Sequence, residues 1–431
     1  MGLLDTLRTR RDGRTPIIIA EGARLCLDDL AGDTPADLAD VAPGDVVALI
    51  GDYDAPTLGR LLHLIDRGAI VVPLTEDTAS IRDELLESAH ADLVLSRSGL
   101  RRIGPRRAHP LLDRLRAEGG AGLVFFSSGT TGRPKAILHD AGRVLRKFAQ
   151  PRPAWRTLSF LLFDHFGGFN TLFHTLFNGG VIVRPRDRSA DAVVRAVADH
   201  RVELLPTTPT FLRMLLLSGL AGSSGLCGLR LVTYGTERMD QGTLSLLCEM
   251  MPHTEFRQTY GVSELGVFSV RSRARDSLFI QVGGPGIETR VNARDCLEIR
   301  SEGRMLGYLN APAPFDADGW YDTSDHVERD GDWLRIVGRS SDLISVGGEK
   351  IFPEEIERRL LAHPAVAQVK AMGRPNPVTG EHIEVIVEPR AGAELSREEL
   401  RHYCREMLPR AMQPHRIRIG AVAIGHRFKR L

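Results

Sequence analysis

The sequence predicts an α/β protein: a large N-terminal domain of parallel-rich sheets flanked by helices, plus a small C-terminal α+β domain joined by a hinge. Three observations predict it. Short apolar strands alternate with amphipathic helices from about residue 44, as in parallel sheets buried on both faces. A small, polar segment, Gly338-Arg339-Ser340-Ser341-Asp342, then interrupts the pattern. Finally, 431 residues that are 42% hydrophobic and 26% charged can fill two or three domains with a sizeable core, which excludes disordered and fibrous classes.

In chain order, Val46 to Gly51 reads as a buried strand, and Leu58 to Asp66 as an amphipathic helix stopped by Gly68. Ile70 to Leu74 is a second strand, Ala79 to Ala89 a charged helix, and Asp92 to Leu95 a third strand. Residues 96–120, rich in Arg and Gly, read as a surface crossing. The alternation resumes with Gly180 to Val183, the helix Asp191 to His200, Leu204 to Leu205 and Leu229 to Thr233. Trp333 to Val337 is the last strand before the hinge, which sets the domains at 1–337 and 343–431, with 338–342 between them. Beyond it, Pro353-Glu354-Glu355 opens a helix with Pro in the first turn and acids at its positive end. Strands follow at Ala367 to Met372 and Ile383 to Val387, Ser396-Arg397-Glu398-Glu399 caps another helix, and Ile417 to Ile419 is a further strand.

Charge and cysteine usage exclude several function classes. Lys+Arg is 56 and Asp+Glu is 55, a net charge of +1 that offers no footprint for nucleic acid or an anionic membrane. The longest apolar runs, such as Val46 to Ile50, fall far below the roughly 20 residues that span a bilayer. Cys26, Cys227, Cys248, Cys296 and Cys404 are scattered, odd in number and without CxxC spacing, which points to a reducing, cytoplasmic setting and against a cysteine zinc site. The 14 histidines lack HxxxH or HExxH spacing, so no structural metal site is expected. The basic residues are nearly all Arg; Lys135, Lys147, Lys350, Lys370 and Lys429 are the only lysines. Codon usage accounts for that scarcity, and each retained Lys then marks a position suited to a compact ammonium.

The strongest local signal is the strand Leu123-Val124-Phe125-Phe126 running into Ser127-Ser128-Gly129-Thr130-Thr131-Gly132-Arg133-Pro134-Lys135. Glycines allow close backbone approach, successive N–H groups form an anion nest, and hydroxyls add donors, all of which suits a polyphosphate. The segment is not the P-loop of nucleoside triphosphatases: two residues separate Gly129 from Gly132, and Pro134 precedes Lys135.

This segment resembles the phosphate loop of the acyl-adenylate-forming superfamily, which includes acyl- and aryl-CoA synthetases, carrier-protein-loading adenylation domains and luciferases. Further motifs recur in the family's order over about residues 40–431. In Tyr260-Gly261-Val262-Ser263-Glu264 the resemblance implies Glu264 as the Mg²⁺ ligand and Tyr260 stacked on adenine, with Ser263 keeping the hydroxyl of the usual Thr. In Tyr234-Gly235-Thr236-Glu237 it implies that Gly235 and Thr236 flank the adenine, while Tyr234, in place of Gly, adds bulk where the acyl pocket begins.

In Gly319-Trp320-Tyr321-Asp322-Thr323-Ser324-Asp325 it implies Asp325 as acceptor for the ribose hydroxyls, with Ser324 replacing Gly. Arg339 would lie on ribose or phosphate, and Ser341 stands at the pivot where the family commonly has Asp or Lys. The segment Ser345 to Glu357 is closer to the CoA-ligase form of its motif, with Gly348 lining a pantetheine tunnel and Lys350 on the approach to the helix. At the C-terminus, Lys429 would bridge the substrate carboxylate and the α-phosphate. In Asp164-His165-Phe166-Gly167-Gly168, His165 would be a gate beside that carboxylate. The opening 40 residues or so are short for the family, which implies a trimmed N-terminal subdomain.

The expected activity is an AMP-forming ligase using ATP and Mg²⁺ to activate a small-molecule carboxylic acid. The acyl group then goes to a thiol, CoA first. Loading of a carrier-protein phosphopantetheine or a non-thiol acceptor is the alternative, and a non-catalytic nucleotide-binding homologue is the second class. An acyl carrier protein is therefore a possible partner, nucleic acid and membrane are not expected, and the oligomeric state stays open.

Overall fold

The computed structural model of the protein describes every residue except 1, 21–22, 31, 33–34, 128–132, 377–379 and 426–431. The described residues build two seven-stranded sheets with parallel cores, a six-stranded antiparallel sheet, a five-stranded sheet near the C-terminus and a two-stranded ribbon.

In the first large sheet, Leu93–Ser96, Val46–Ile50, Ile70–Leu74 and Gly122–Ser127 run parallel. Lys135–Asp140 and Gly307–Tyr308 extend it antiparallel on one side, and Gly99–Arg102 closes the other. Val46–Ile50 and Ile70–Leu74 are buried at every position, which is why both read as unbroken apolar runs rather than as alternating ones. The adjoining helix Ala55–Asp66 starts where the Asp54 carboxylate accepts from the Thr57 N–H, with Pro56 in its first turn. It buries Leu58, Leu61, Leu62 and Ile65.

In the second large sheet, Pro16–Ala20, Val181–Arg184, Arg156–Leu158, Leu204–Thr207, Leu231–Tyr234 and Glu255–Gln258 are parallel, with Ala23–Cys26 as an antiparallel edge. The first forty residues thus supply the helix Leu3–Arg10 and two strands of this sheet.

Residues 96–120 do more than cross the surface. They hold the edge strand Gly99–Arg102 and the helix Pro110–Ala117, whose Leu112 and Leu115 are fully buried and whose first turn is capped by His109 Nδ1. The arginines around them mask a two-leucine apolar stripe. The charged helix expected from Ala79 begins as 3-10 turns at Glu76–Ile81 and becomes α-helical only over Arg82–Ser88.

The antiparallel sheet runs from Ser269 to Arg339 and packs Ile280, Leu297 and Ile299 against Tyr260 and Phe268. Its last strand, Trp333–Arg339, leads through the turn Ser340–Asp342 to a separate hydrophobic cluster between Ile344 and Ile417, with the helices Pro353–Leu361 and Arg397–Met407 on its sheet. Across that turn, Arg238 Nη1 lies 3.5 Å from Glu354 Oε2, and the Phe352 ring packs edge-on to His326 at 5.2 Å. No helix among the described residues is long and apolar enough to cross a membrane.

Candidate functional site

The Gly122–Ser127 and Lys135–Asp140 strands pair so that Ser127 faces Lys135 across the ladder. The ends of the hydroxyl-rich loop are thereby brought together, while Ser128, Gly129, Thr130, Thr131 and Gly132 lie outside the described residues. Asn310 clamps the returning strand: its Oδ1 accepts from Ala136 N at 2.9 Å and its Nδ2 donates to Pro134 O at 2.8 Å. Sequence reasoning did not find Asn310, because the contact joins positions 174 residues apart with no local periodicity to announce it.

The chain of polar contacts continues from there. Lys135 Nζ stands 5.1 Å from the centroid of the Tyr308 ring. The Tyr308 hydroxyl donates to Glu264 Oε1 at 2.8 Å, and Glu264 is only 6% exposed. Tyr321 closes over the same carboxylate; burial first, and then the Glu264 charge, push both phenols' pKa upward, so both remain donors. Behind them, His139 Nε2 sits 2.8 Å from Ser263 O. Burial pushes this imidazole down to about 4, so at neutral pH it is uncharged and donates to the carbonyl.

The Tyr260 hydroxyl donates to Asp325 Oδ2 at 2.6 Å, and Arg339 Nε donates to Asp325 Oδ1 at 2.7 Å. Asp325 is 3% exposed, and burial followed by its charge raises the Tyr260 pKa. Tyr260 also stacks on Phe268 with centroids 6.2 Å apart. Gly261 is required in the short strand before Ser263, because a Cβ there would lie 2.5 Å from Gly266 O.

One cavity of about 660 Å³ gathers these groups. Ser127, Lys135, His165, Gly235, Thr236, Tyr260, Gly261, Ser263, Glu264 and Arg339 all line it, and Asp325 lies just behind its wall. His165 begins the helix Phe166–Phe177, where its Nδ1 accepts from Gly167 N at 3.0 Å. Gly168 is obligatory there, since a Cβ would meet Leu162 O at 1.9 Å. Thr236 adopts a left-handed backbone, with φ 68°, and Glu237 turns away to accept from Thr210 N and Oγ1.

One expectation differs in the structure. Tyr234 adds no bulk to the cavity: it is 1% exposed and packs in the core among Phe256, Met239 and Leu247, because strand alternation sends its side chain to the opposite face from Thr233 and Gly235. Gly348 lies in the exposed hairpin turn between Ile344–Val346 and Glu349–Ile351, away from this cavity. Lys429 lies outside the described residues.

The donor set fits a metal-bound nucleotide. A buried carboxylate, Glu264, suits a hard cation. Lys135 and Ser127 suit phosphate oxygens, and the Asp325–Arg339 pair offers a two-oxygen acceptor to a diol. Thr207 Oγ1, on the cavity wall and 1% exposed, has no hydrogen-bond partner and offers a further contact.

Comparison with known proteins agrees with this geometry. A ligase from Rhodococcus jostii named for 3-[(3aS,4S,7aS)-7a-methyl-1,5-dioxo-octahydro-1H-inden-4-yl]propanoyl:CoA is 27% identical over 68% of this chain and 60% of its own length, so the chain spans less than two thirds of that relative. A feruloyl-CoA synthase from Amycolatopsis sp. is 26% identical over 92% of this chain and 89% of its own. The fold matches that of the o-succinylbenzoate CoA synthetase of Bacillus subtilis in complex with its acyl-adenylate intermediate, with a TM-score of 0.78 and 20% identity over 100% of this chain and 97% of the other. Residues 46–306 match the AMP-binding enzyme family and residues 355–422 match the AMP-binding enzyme C-terminal domain, so the chain belongs to the AMP-binding enzymes of the acyl-adenylate-forming superfamily.

Proposed function

We propose that this protein is an AMP-forming ligase that joins a carboxylic acid to the adenylyl group of ATP and then passes the acyl group to a thiol, most simply that of CoA, in the reducing cytoplasm. The observation that carries this reading is the convergence of Ser127, Lys135, Glu264, Tyr260 and the Asp325–Arg339 pair on one cavity that also reaches His165.

In the first step a substrate carboxylate oxygen forms a bond to the α-phosphorus, the bond from that phosphorus to the bridging oxygen breaks, and pyrophosphate leaves. In the second, a thiolate attacks the acyl carbon, AMP departs, and the thiol proton passes to solvent. Bound Mg²⁺ would neutralise phosphate charge. The chain itself positions. Asp325 and Arg339 fix the ribose, Lys135 and Ser127 hold phosphate oxygens, and Glu264, steadied by Tyr308, presents the cation-binding carboxylate. Lys429 pairs with the reacting oxygens, and the segment around Ser341 lets the C-terminal region turn between the steps, bringing Gly348 to the thiol path.

The test is ATP–pyrophosphate exchange across aliphatic and aromatic acids, for wild type and Lys429→Ala. Exchange with at least one acid, lost in the variant, supports the reading. ATP binding without exchange for any acid overturns it in favour of a non-catalytic nucleotide-binding homologue. Product analysis with CoA and with a carrier protein then identifies the thiol.

A further inference from the structure

Lys147 belongs to none of the motifs that explain Lys135, Lys350 and Lys429, yet in this Arg-rich chain it is one of only five lysines. The structure puts it in the wall of the same cavity, with Nζ donating to Val267 O at 3.2 Å. Its side chain is exposed and forms part of the cavity lining. Arg152 and His174 line the cavity alongside it.

Lys147 and Arg152 are neighbouring cations, and His174 beside them stays uncharged at neutral pH. Burial, and then Arg152, push the Lys147 ammonium down to about 7; burial, Arg152 and Lys147 together push His174 down to about 4. Among the described residues no carboxylate makes an ion pair with Lys147 or Arg152. Asn170, one helical turn before His174, has a buried amide oxygen without a hydrogen-bond partner; turned about its last bond, the same side chain offers its NH₂ to the cavity. Gathering cations without a counter-charge costs stability, and a ligand that supplies the missing negative charge offsets that cost.

The cluster is remote from the reacting groups. His165 caps the start of the helix Phe166–Phe177 and His174 lies nine residues further on, so at about 1.5 Å per residue they stand roughly 13 Å apart along its axis.

We propose that Lys147, Arg152 and Asn170 form a subsite for a second anionic group on the acid substrate, a distal carboxylate or sulfonate held on the order of ten ångströms from the carboxylate that is activated. This rests on the ligase reading above, and makes the preferred substrate a dianionic acid.

The experiment pairs each linear dicarboxylic acid of four to ten carbons, and the matching ω-sulfo acids, with the monocarboxylic acid of equal length. Exchange kinetics and calorimetric binding are measured for wild type, Lys147→Met and Arg152→Gln, after thermal melts confirm folding. Wild type is expected to favour at least one dianionic acid over its partner, and the dianion-to-monoanion ratio of kcat/KM to fall about 10- to 100-fold in Lys147→Met, the range for losing a hydrogen bond to a charged group. A merely structural role lowers both members of a pair alike and leaves the ratio unchanged, which overturns the proposal, as does a wild-type preference for the monoacids. Dianion binding that is weakened in the variants, with no exchange for any acid, keeps the subsite and overturns only the ligase reading. The sulfo and carboxy series separate the two anion types.

Discussion

Asp325→Asn keeps the shape of a 3% exposed side chain and one of its acceptor oxygens, but removes the charge that Arg339 and Tyr260 address at 2.7 and 2.6 Å. Breaking a fully buried ion pair costs about 3–5 kcal/mol, because the surviving charge is stranded. Here the Arg339 side chain is 53% exposed, so water from the cavity rehydrates the guanidinium. The loss should therefore sit nearer the value for hydrogen bonds to a charged group, about 1.5–3 kcal/mol. Tyr260 keeps its proton across the accessible pH range and can still donate to the amide oxygen, which favours the lower half of that range.

The effect on nucleotide use is of similar size but separable. A carboxylate offers two acceptor oxygens to a ribose diol and an amide only one, so half-saturation for ATP should rise about 10- to 100-fold. Denaturant unfolding measures the first quantity, and exchange at varied ATP measures the second. Unchanged ATP half-saturation beside a clear loss of stability would make Asp325 a purely structural anchor and refute the ribose assignment. No change in either would refute the network itself.

Three further outcomes are expected. Because the buried His139 titrates near 4 in the fold and near 6.5 when unfolded, the unfolded chain takes up a proton between those values that the native one refuses; stability should fall by about 3 kcal/mol from pH 6.5 to 4 in wild type, with a flatter slope in His139→Gln, read by denaturant curves at several pH values. Tyr308→Phe takes the donor from Glu264 Oε1 and should cost about 1.5–3 kcal/mol; Mg·ATP, by supplying a cation there, should raise the variant's melting temperature more than that of wild type, and an equal rise would argue against Glu264 as the cation site. Ser324 holds φ 58°, so Ser324→Gly relieves about 1–2 kcal/mol of left-handed strain while adding about 0.4–1 kcal/mol of unfolded-chain freedom; the melting temperature should rise by about a degree or two, and a fall would show that the hydroxyl matters more than the backbone.

The site was legible in sequence wherever its chemistry is carried by contiguous residues. Tyr260 to Glu264, Gly235-Thr236 and the Asp325 segment could each be read as a short run of glycine, hydroxyl, aromatic and acid, and the structure sets them around one cavity. The parallel strands were equally plain, since burial on both faces leaves no polar residue to interrupt a run such as Val46–Ile50. The antiparallel sheet between Ser269 and Arg339 was mostly missed: strands such as Ile287–Val291 carry exposed Glu, Thr and Arg at their centre and look like loops.

By itself, then, the sequence determined the α/β class, the family and most of the groups that meet at the cavity, because local periodicity and short motifs follow from bonds between neighbours in the chain. Only the tertiary structure decided that Tyr234 turns into the core, that Asn310 clamps the strand after the hydroxyl-rich loop, that Tyr308 covers Glu264 and that Lys147 lines the cavity. Those outcomes depend on which strands lie side by side and which face each residue takes. Sheet order and pleat set both, across separations that no local pattern records.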